Sequence, residues 1–577
     1  MSPSYYITTP IYYVNDRPHI GHCYTTTVAD ALARFERLMR GGGSHVHFLT
    51  GTDEHGQKVE KSAAAKGVTP QALADENAAI FRSAMKLMGA SNDDFIRTTE
   101  PRHQRQVQAA AKRLIASGDI YLGTFEGWYD EGQEEYVTEN QAREKNYTAF
   151  NGKPLVRAKE ENYYFRLSKW QAPLEKFLND NPTFVRPEAR RNEVLGRLRE
   201  GLQDVPASRT NFSWGIPILD GPGGTPGKHV IYVWIDALLN YASAIGMIDK
   251  LDRVDQPAGR AADLSRFWPA DVHIIGKEIL WFHAVVWPAL LMALGLPTPK
   301  CVYAHSFWIS EGQKMSKTLG NFIDLPTLES YINRYGLDAL RWYLLTQGPL
   351  RETDADFSFS KFIEVYNSDL ANGIGNCASR VGNMIDKYFG GKVPDVPASA
   401  VFSQSHPEGL PGTVQVAPSD VAAALTNVYD WPRDTAEFVH RAEKQVARVQ
   451  LTDALLEGIA LVGRVDSFIN STEPFKLAKR IDTEPHARER LGAILYSCAE
   501  AVRIASLLLS PAMPEKMAQL WKTWSCTPLE GVPLRELAEF GGKHGLRPGH
   551  ALTKGEVLFM RADVKEGPPF PPPSATS

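Results

Sequence analysis

Hydrophobic positions along the chain change period twice, and each change predicts a change of architecture. From Tyr5 to Tyr13 the residues are β-branched, aromatic or apolar with little polar interruption, the pattern of a strand buried on both faces. Asn15-Asp16-Arg17-Pro18 breaks the run with turn chemistry. From His19 to about Arg40, Ile20, Val28, Ala29, Ala31, Leu32, Phe35 and Leu38 recur at helical spacing. Gly41 to Gly43 close that helix, and His45 to Thr50 reads as a second strand running into a Gly51–Gly56 turn. Strand, helix and strand with short connections predict a right-handed parallel unit of a Rossmann-like sheet, whose ligands gather at the carboxyl ends of the strands.

From about Tyr121 to Pro217 this α/β rhythm gives way to an irregular, aromatic and charged stretch, read as an inserted domain over 119–226 that divides a catalytic domain at 1–118 and 227–300. Strand-like runs return in HVIYVWIDALL, VHIIGKEIL and CVYAHSFWIS, with a connecting domain expected at 301–358. Beyond it, helical periodicity at 330–345, 360–390, 420–470 and 488–522 predicts a bundle over 359–535. Residues 393–420 read as a long loop, and 536–577 as an extension ending in a disordered Pro-rich tail. The expected fold class is therefore α/β, a parallel sheet split by an insertion and followed by an α-helical bundle.

Composition narrows function mainly by exclusion. With 43% hydrophobic and 23% charged residues and a formal charge of −4, the chain is neither a polycation nor an acidic tail, so any nucleic acid must meet local patches. Arg186, Arg190, Arg191, Arg197 and Arg199 cluster on an expected helix, a pattern that fits a solvated face at least as well as an RNA contact. Cys23, Cys301, Cys377, Cys498 and Cys526 lie too far apart for a C-x₂-C knuckle and read as reduced thiols. With neither a signal peptide nor an apolar run long enough for a membrane span, the expectation is a cytoplasmic protein without a membrane partner.

Two short segments carry chemistry. His19-Ile20-Gly21-His22 falls where the first strand hands over to the first helix; a helix N-terminus favours phosphate, two imidazoles share its first turn, and Gly21 leaves room for a nucleotide. Lys314-Met315-Ser316-Lys317-Thr318 follows the strand-like Tyr303–Ile309 and a Glu-Gly turn; paired ammonium groups on a loop can neutralise charge that grows as pyrophosphate departs. Either segment alone reads as a surface feature, whereas both on one split nucleotide fold form a specific pair.

With those segments the chain resembles the class I aminoacyl-tRNA synthetases, as their HIGH and KMSKS signatures. TTPIYYVNDRPHIGH, TGTDEHGQKV, SRTNFSWGIPI, YVWIDALLNY, IIGKEILWFHAVVWPA and EGQKMSKTLGNFIDL resemble the methionyl-tRNA synthetase family within that class, from Tyr5 to about Glu515. The resemblance implies a methionine–tRNA ligase that uses ATP and Mg²⁺ to form methionyl-adenylate and then charges tRNA(Met). It implies catalytic roles for His19, His22, Lys314 and Lys317, and ATP contacts by His19, Gly21, His22, Gly276, Glu278, Met315, Ser316 and Lys317. Asp53, at a Gly-rich turn where Asp otherwise serves as a local cap, would hold the amino group of L-methionine. Ile11, Tyr13, Trp234, Ala237, Tyr241, Ile279, His283 and Trp287 would wall its thioether, with Ile11 N–H and the Tyr241 hydroxyl on the sulfur.

For the anticodon, Asn376 and Arg380 match contact positions, and Phe475 stands where the family usually has Trp. A flat ring stacks on splayed bases in either case, but Phe lacks the indole N–H. With no cysteine between 24 and 300, no structural zinc of the family's Cys-rich kind is expected. A monomer is the simpler expectation, because the appended domain of some relatives has no counterpart here.

Overall fold

The structure, a computed structural model, describes residues 4–15, 17–130, 135–137, 139–149, 152–218, 227–251, 264–315, 321–395 and 429–569. Tyr5–Tyr13 (β1), Ile20–Arg40 (α1) and Val46–Asp53 (β2) follow one another as the periodicity predicts. They belong to a six-stranded parallel sheet ordered Asp94–Arg97, β2, β1, Val272–Gly276, Val302–His305, Val185–Arg186. Chain order reverses between β1 and Val272–Gly276. At such a switch the flanking connections leave to opposite faces and open a crevice beyond the strand ends.

The segment read as an insertion contains a four-stranded antiparallel sheet built on the long pair Ile120–Asp130 and Val156–Phe165. Its later part is not separate from the catalytic core. Val185–Arg186 pairs with Val302 and Tyr303 as the edge of the parallel sheet, and Leu174, Leu178, Val194 and Leu198 share one apolar cluster with Tyr6, Leu49 and Ile275.

One strand expectation fails. Of HVIYVWIDALL only Val230–Ile231 is strand; Val233–Ser243 is a helix. Nearly every residue of that helix is buried, so apolar side chains occupy all its faces, and a short apolar run of that kind is indistinguishable from a strand by periodicity.

The bundle joins the other face of the sheet rather than hanging from it: Leu32 and Phe35 of α1 belong to the same cluster as Trp342, Trp431, Leu461, Leu495 and Trp524. Ala487–Leu509, the one helix among the described residues long and apolar enough to cross a membrane, has its apolar stretch wholly buried in this cluster, with only the first turn at Arg488 and Glu489 exposed. The extension folds back over the bundle as far as residue 569. The Tyr366 hydroxyl donates to Met560 O at 2.8 Å, Asn367 and Ala562 exchange bonds of 3.0 and 2.9 Å, and Val393 N–H donates to His550 O at 2.9 Å. Most of the expected 393–420 loop and the last eight tail residues, 570–577, lie outside the described residues.

Candidate active site

A cavity of about 360 Å³ opens at the switch point. β1 contributes Ile11, Tyr12 and Tyr13, β2 contributes Asp53, and the start of α1 contributes His19, Gly21 and His22. Trp234, Ala237 and Tyr241 come from the Val233–Ser243 helix, Gly276, Glu278, Ile279 and His283 from the turn after Val272–Gly276. Pro10 lacks the N–H that a continuous ladder needs, and the β1–β2 register shifts between Thr8 and Ile11, turning the end of β1 toward the cavity.

The first imidazole pair caps the helix that carries it. His19 Nδ1 accepts the Gly21 N–H at 3.0 Å, and His22 Nδ1 accepts the His19 N–H at 3.2 Å. With both Nδ1 atoms accepting, each neutral ring keeps its proton on Nε2, where it can be offered to an anion. Burial and the neighbouring His19 hold the His22 pKa well below its usual value. The opening amides of α1 are less available than a bare helix end suggests, since Ile20 N–H already donates to Ile323 O at 3.1 Å. The space over Gly21 is taken by the His19 ring, 2.9 Å from where a Cβ would stand. At Gly276 a Cβ would meet the Glu278 carboxylate, so a side chain at either position would force its neighbour, His19 or Glu278, to move.

The aromatic end of the cavity is fixed by tautomers. His283 Nδ1 lies 3.0 Å from Ile279 O, which only an N–H can satisfy, so Nε2 accepts the Tyr241 hydroxyl proton at 2.7 Å. Burial lowers the His283 pKa to about 4 and keeps that ring neutral. The hydroxyl proton of Tyr241 is thereby committed to His283, leaving oxygen lone pairs and ring edge for a neighbour. Trp287, expected in this wall, does not line the cavity. It is fully buried one layer behind, its indole N–H donating to His273 Nε2 at 3.2 Å and its ring 5.8 Å from that of Tyr241.

The second motif reaches the first through its exit. His19 forms an antiparallel bridge with Asp324, and the Phe322 ring packs 5.1 Å from the His19 ring. Lys314 pairs with Ile309 in a short hairpin, and Met315 packs against the main core without lining the cavity. Ser316 and Lys317 lie outside the described residues, as does the Lys314 side chain. Sequence reasoning missed Lys58, 5.6 Å over the Tyr13 ring, and His305 to Trp308, all in the lining. Their signal was available: His305 ends a parallel strand, and Lys58 follows the β2 turn that carries Asp53.

In the bundle, Asn376 and Arg380 stand on Asn376–Phe389, where Arg380 pairs with Asp466 at 2.9 Å and reaches Asn470 at 3.3 Å. Phe475, 43% exposed, follows five residues after Asn470.

The family model of class I tRNA synthetases (M) matches residues 5–146 and 144–382. A methionine–tRNA ligase of Caldanaerobacter subterraneus is 41% identical over 98% of this chain and 80% of its own length. One of Streptomyces coelicolor is 39% identical over 97% of both chains. The solved structure of Mycobacterium tuberculosis methionyl-tRNA synthetase with methionyl-adenylate superposes with a TM-score of 0.79 at 34% identity, covering 96% of this chain and 99% of that one. The similarity thus runs past Glu515 into the extension.

Proposed function

The chain belongs to the class I tRNA synthetases of the methionyl group, and from that premise we propose that it activates L-methionine with ATP and transfers the methionyl group to the terminal ribose of tRNA(Met). The observation that carries the reading is a single cavity joining an imidazole pair at a helix start, a carboxylate at a neighbouring strand end and an aromatic hollow between them.

The methionine carboxylate attacks the α-phosphorus of ATP and pyrophosphate leaves; a ribose hydroxyl of the tRNA then attacks the acyl carbon and AMP leaves. No protein nucleophile is required, so catalysis is positioning and charge neutralisation. Asp53 takes the ammonium group. Tyr13, Trp234, Ala237, Ile279, His283 and the Tyr241 ring surround the thioether, Ile11 N–H faces the sulfur, and Trp287 braces Tyr241 from behind. His19 and His22 offer Nε2–H to phosphate oxygens, with Gly276 and Glu278 beside the nucleotide. Lys314, Met315, Ser316 and Lys317 close over the triphosphate, with Lys317 on the leaving pyrophosphate. Mg²⁺ supplies further neutralisation when bound with ATP. Among the described residues no group of three or more His, Cys, Asp or Glu side chains is arranged to hold a metal ion. Asn376, Arg380 and Phe475 read the anticodon. The proposal includes a monomer acting in the cytoplasm, a reducing compartment that suits the five free cysteines.

Amino-acid-dependent exchange of pyrophosphate into ATP, run with methionine, leucine, valine and cysteine, tests the reading. Exchange with methionine alone is the expected result; exchange driven by another amino acid, or by none, would overturn it.

A further inference from the structure

Beside the amino-group site lies a carboxylate that the mechanism above does not use. Asp236, in the first turn of the Val233–Ser243 helix, is fully buried. Its Oδ2 lies 2.7 Å from His55 Nδ1, its Oδ1 lies 2.7 Å from His103 Nε2, and His103 Nδ1 lies 2.7 Å from the Ser243 hydroxyl. His55 and His103 are 3% and 0% exposed. Burial by itself would raise the Asp236 pKa, but the two imidazoles, His55 foremost, outweigh it and hold the group below its ordinary value. An ionised carboxylate in a core is costly, and apolar side chains would fill the same volume more cheaply, so this arrangement contributes something other than packing.

Its position shows what that is. His55 stands two residues after Asp53 in the turn that ends β2, and each residue between Asp53 and the next helix is held by a part of the fold distant in sequence. Arg97 grips Glu54 at 2.7 and 2.9 Å, the Trp214 indole N–H donates to Glu54 O at 2.6 Å, and Gly56 N–H donates to Trp214 O at 3.0 Å. Asp236 holds His55. On its own helix Asp236 lies between Trp234 and Ala237, both of which line the cavity. We infer that Asp236, clamped between His55 and His103, is a positioning residue that sets Asp53 at its working distance from the Trp234 and Ala237 wall, and so determines recognition of the substrate's ammonium group. The inference rests on the methionine-activating reading, because only there does Asp53 meet an amine.

The test compares the full-length wild type with Asp236→Asn, His103→Leu and His103→Gln in pyrophosphate exchange, varying methionine and ATP separately. Gln can restore an N–H donor toward Asp236, whereas Leu fills the space without one. Losing a charge-assisted bond should raise KM for methionine about tenfold in Asp236→Asn and His103→Leu, with KM for ATP within about twofold and His103→Gln within about threefold of wild type. Two inhibitors give a readout that a merely structural role would not produce. Methioninol, which keeps the amine and lacks the carboxylate, should weaken in parallel with methionine. 4-(Methylthio)butanoate, which lacks the amine, should inhibit the variants as it inhibits wild type. Equal weakening of both inhibitors, a joint rise in both KM values, or unchanged KM for methionine would overturn the assignment. Should Asp236→Asn fail to fold, the paired His103 variants decide it on the same criteria. Exchange in wild type without any dependence on methionine would instead overturn the functional reading.

Discussion

At the scale of single residues, burial pushes His22, His283 and His305 toward their neutral forms. His283 and His305 are both pushed down to about 4, and His305 shows the consequence most clearly because it lies at the rim of the chemistry. Its Nδ1–H donates to Ser306 O at 2.8 Å, so Nε2 accepts the Thr25 hydroxyl at 2.7 Å and ties the end of Val302–His305 to α1. An unfolded histidine titrates near 6.5, so between roughly 4 and 6.5 the unfolded chain binds a proton that the folded one refuses. Stability from this residue is complete well above the unfolded value and is lost as pH falls through that window, by about 1.6 kcal/mol between pH 6.5 and 5. Glu36 and Asp338, raised by burial to about 7 and about 6, carry the opposite sign, so the total pH profile mixes both. A comparison isolates the histidine. His305→Asn should be less stable than wild type at pH 7, and the gap in thermal midpoint should narrow by pH 5, since only wild type is penalised for protonation. A gap that widens on acidification would refute the neutral assignment.

At the scale of elements, α1 is the part whose sequence carried most and concealed most. Its boundaries and its imidazoles were legible, since a strand, a turn and an apolar repeat frame them. Its anchoring was not, because Asp30 meets Arg341 across more than three hundred residues of sequence, and nothing local marks either as buried. The pair is 2.6 Å apart with both side chains 0% exposed, and the same guanidinium donates to Met88 O, Ala512 O and Pro511 O at 2.9, 3.0 and 2.9 Å. One arginine therefore joins the helix that carries His19 to the bundle. Arg341→Met should cost about 3–5 kcal/mol, because it leaves an incompletely compensated buried carboxylate and three carbonyls short of a donor. Thermal unfolding would show this as a fall of several degrees, and adding Asp30→Asn should cost less than it does in the wild-type background. Strictly additive losses would mean that the two side chains are not coupled. The Val233–Ser243 helix teaches the complementary lesson: a segment buried on every side loses the periodicity by which helices are recognised, so Asp236 at its start was invisible until the fold brought His55 and His103 to it.

At the scale of the whole molecule, the proposed function puts chemistry and anticodon recognition in different regions. Every residue lining the cavity falls between Pro10 and Trp308, whereas Asn376, Arg380 and Phe475 belong to the bundle. On the proposed function their contribution is to hold tRNA, not to form adenylate. Arg380 is already half-committed to Asp466 and Asn470, an arrangement that orients its guanidinium but leaves unused donors for a base edge. Phe475, at 43% exposure, is accessible to solvent and lies five residues after Asn470 in the chain. Single-stranded bases gain roughly 1–3 kcal/mol from one aromatic partner. Phe475→Ala and Arg380→Ala should each lower kcat/KM for tRNA(Met) about tenfold or more while pyrophosphate exchange stays at the wild-type rate. Phe475→Trp enlarges the stacking surface and supplies an indole donor, so it should lower KM for tRNA without touching the exchange reaction. Exchange that falls along with tRNA charging in Arg380→Ala would show that the shared apolar core between α1 and the bundle transmits the damage, and that the two ends of the molecule are coupled through packing as well as through the RNA.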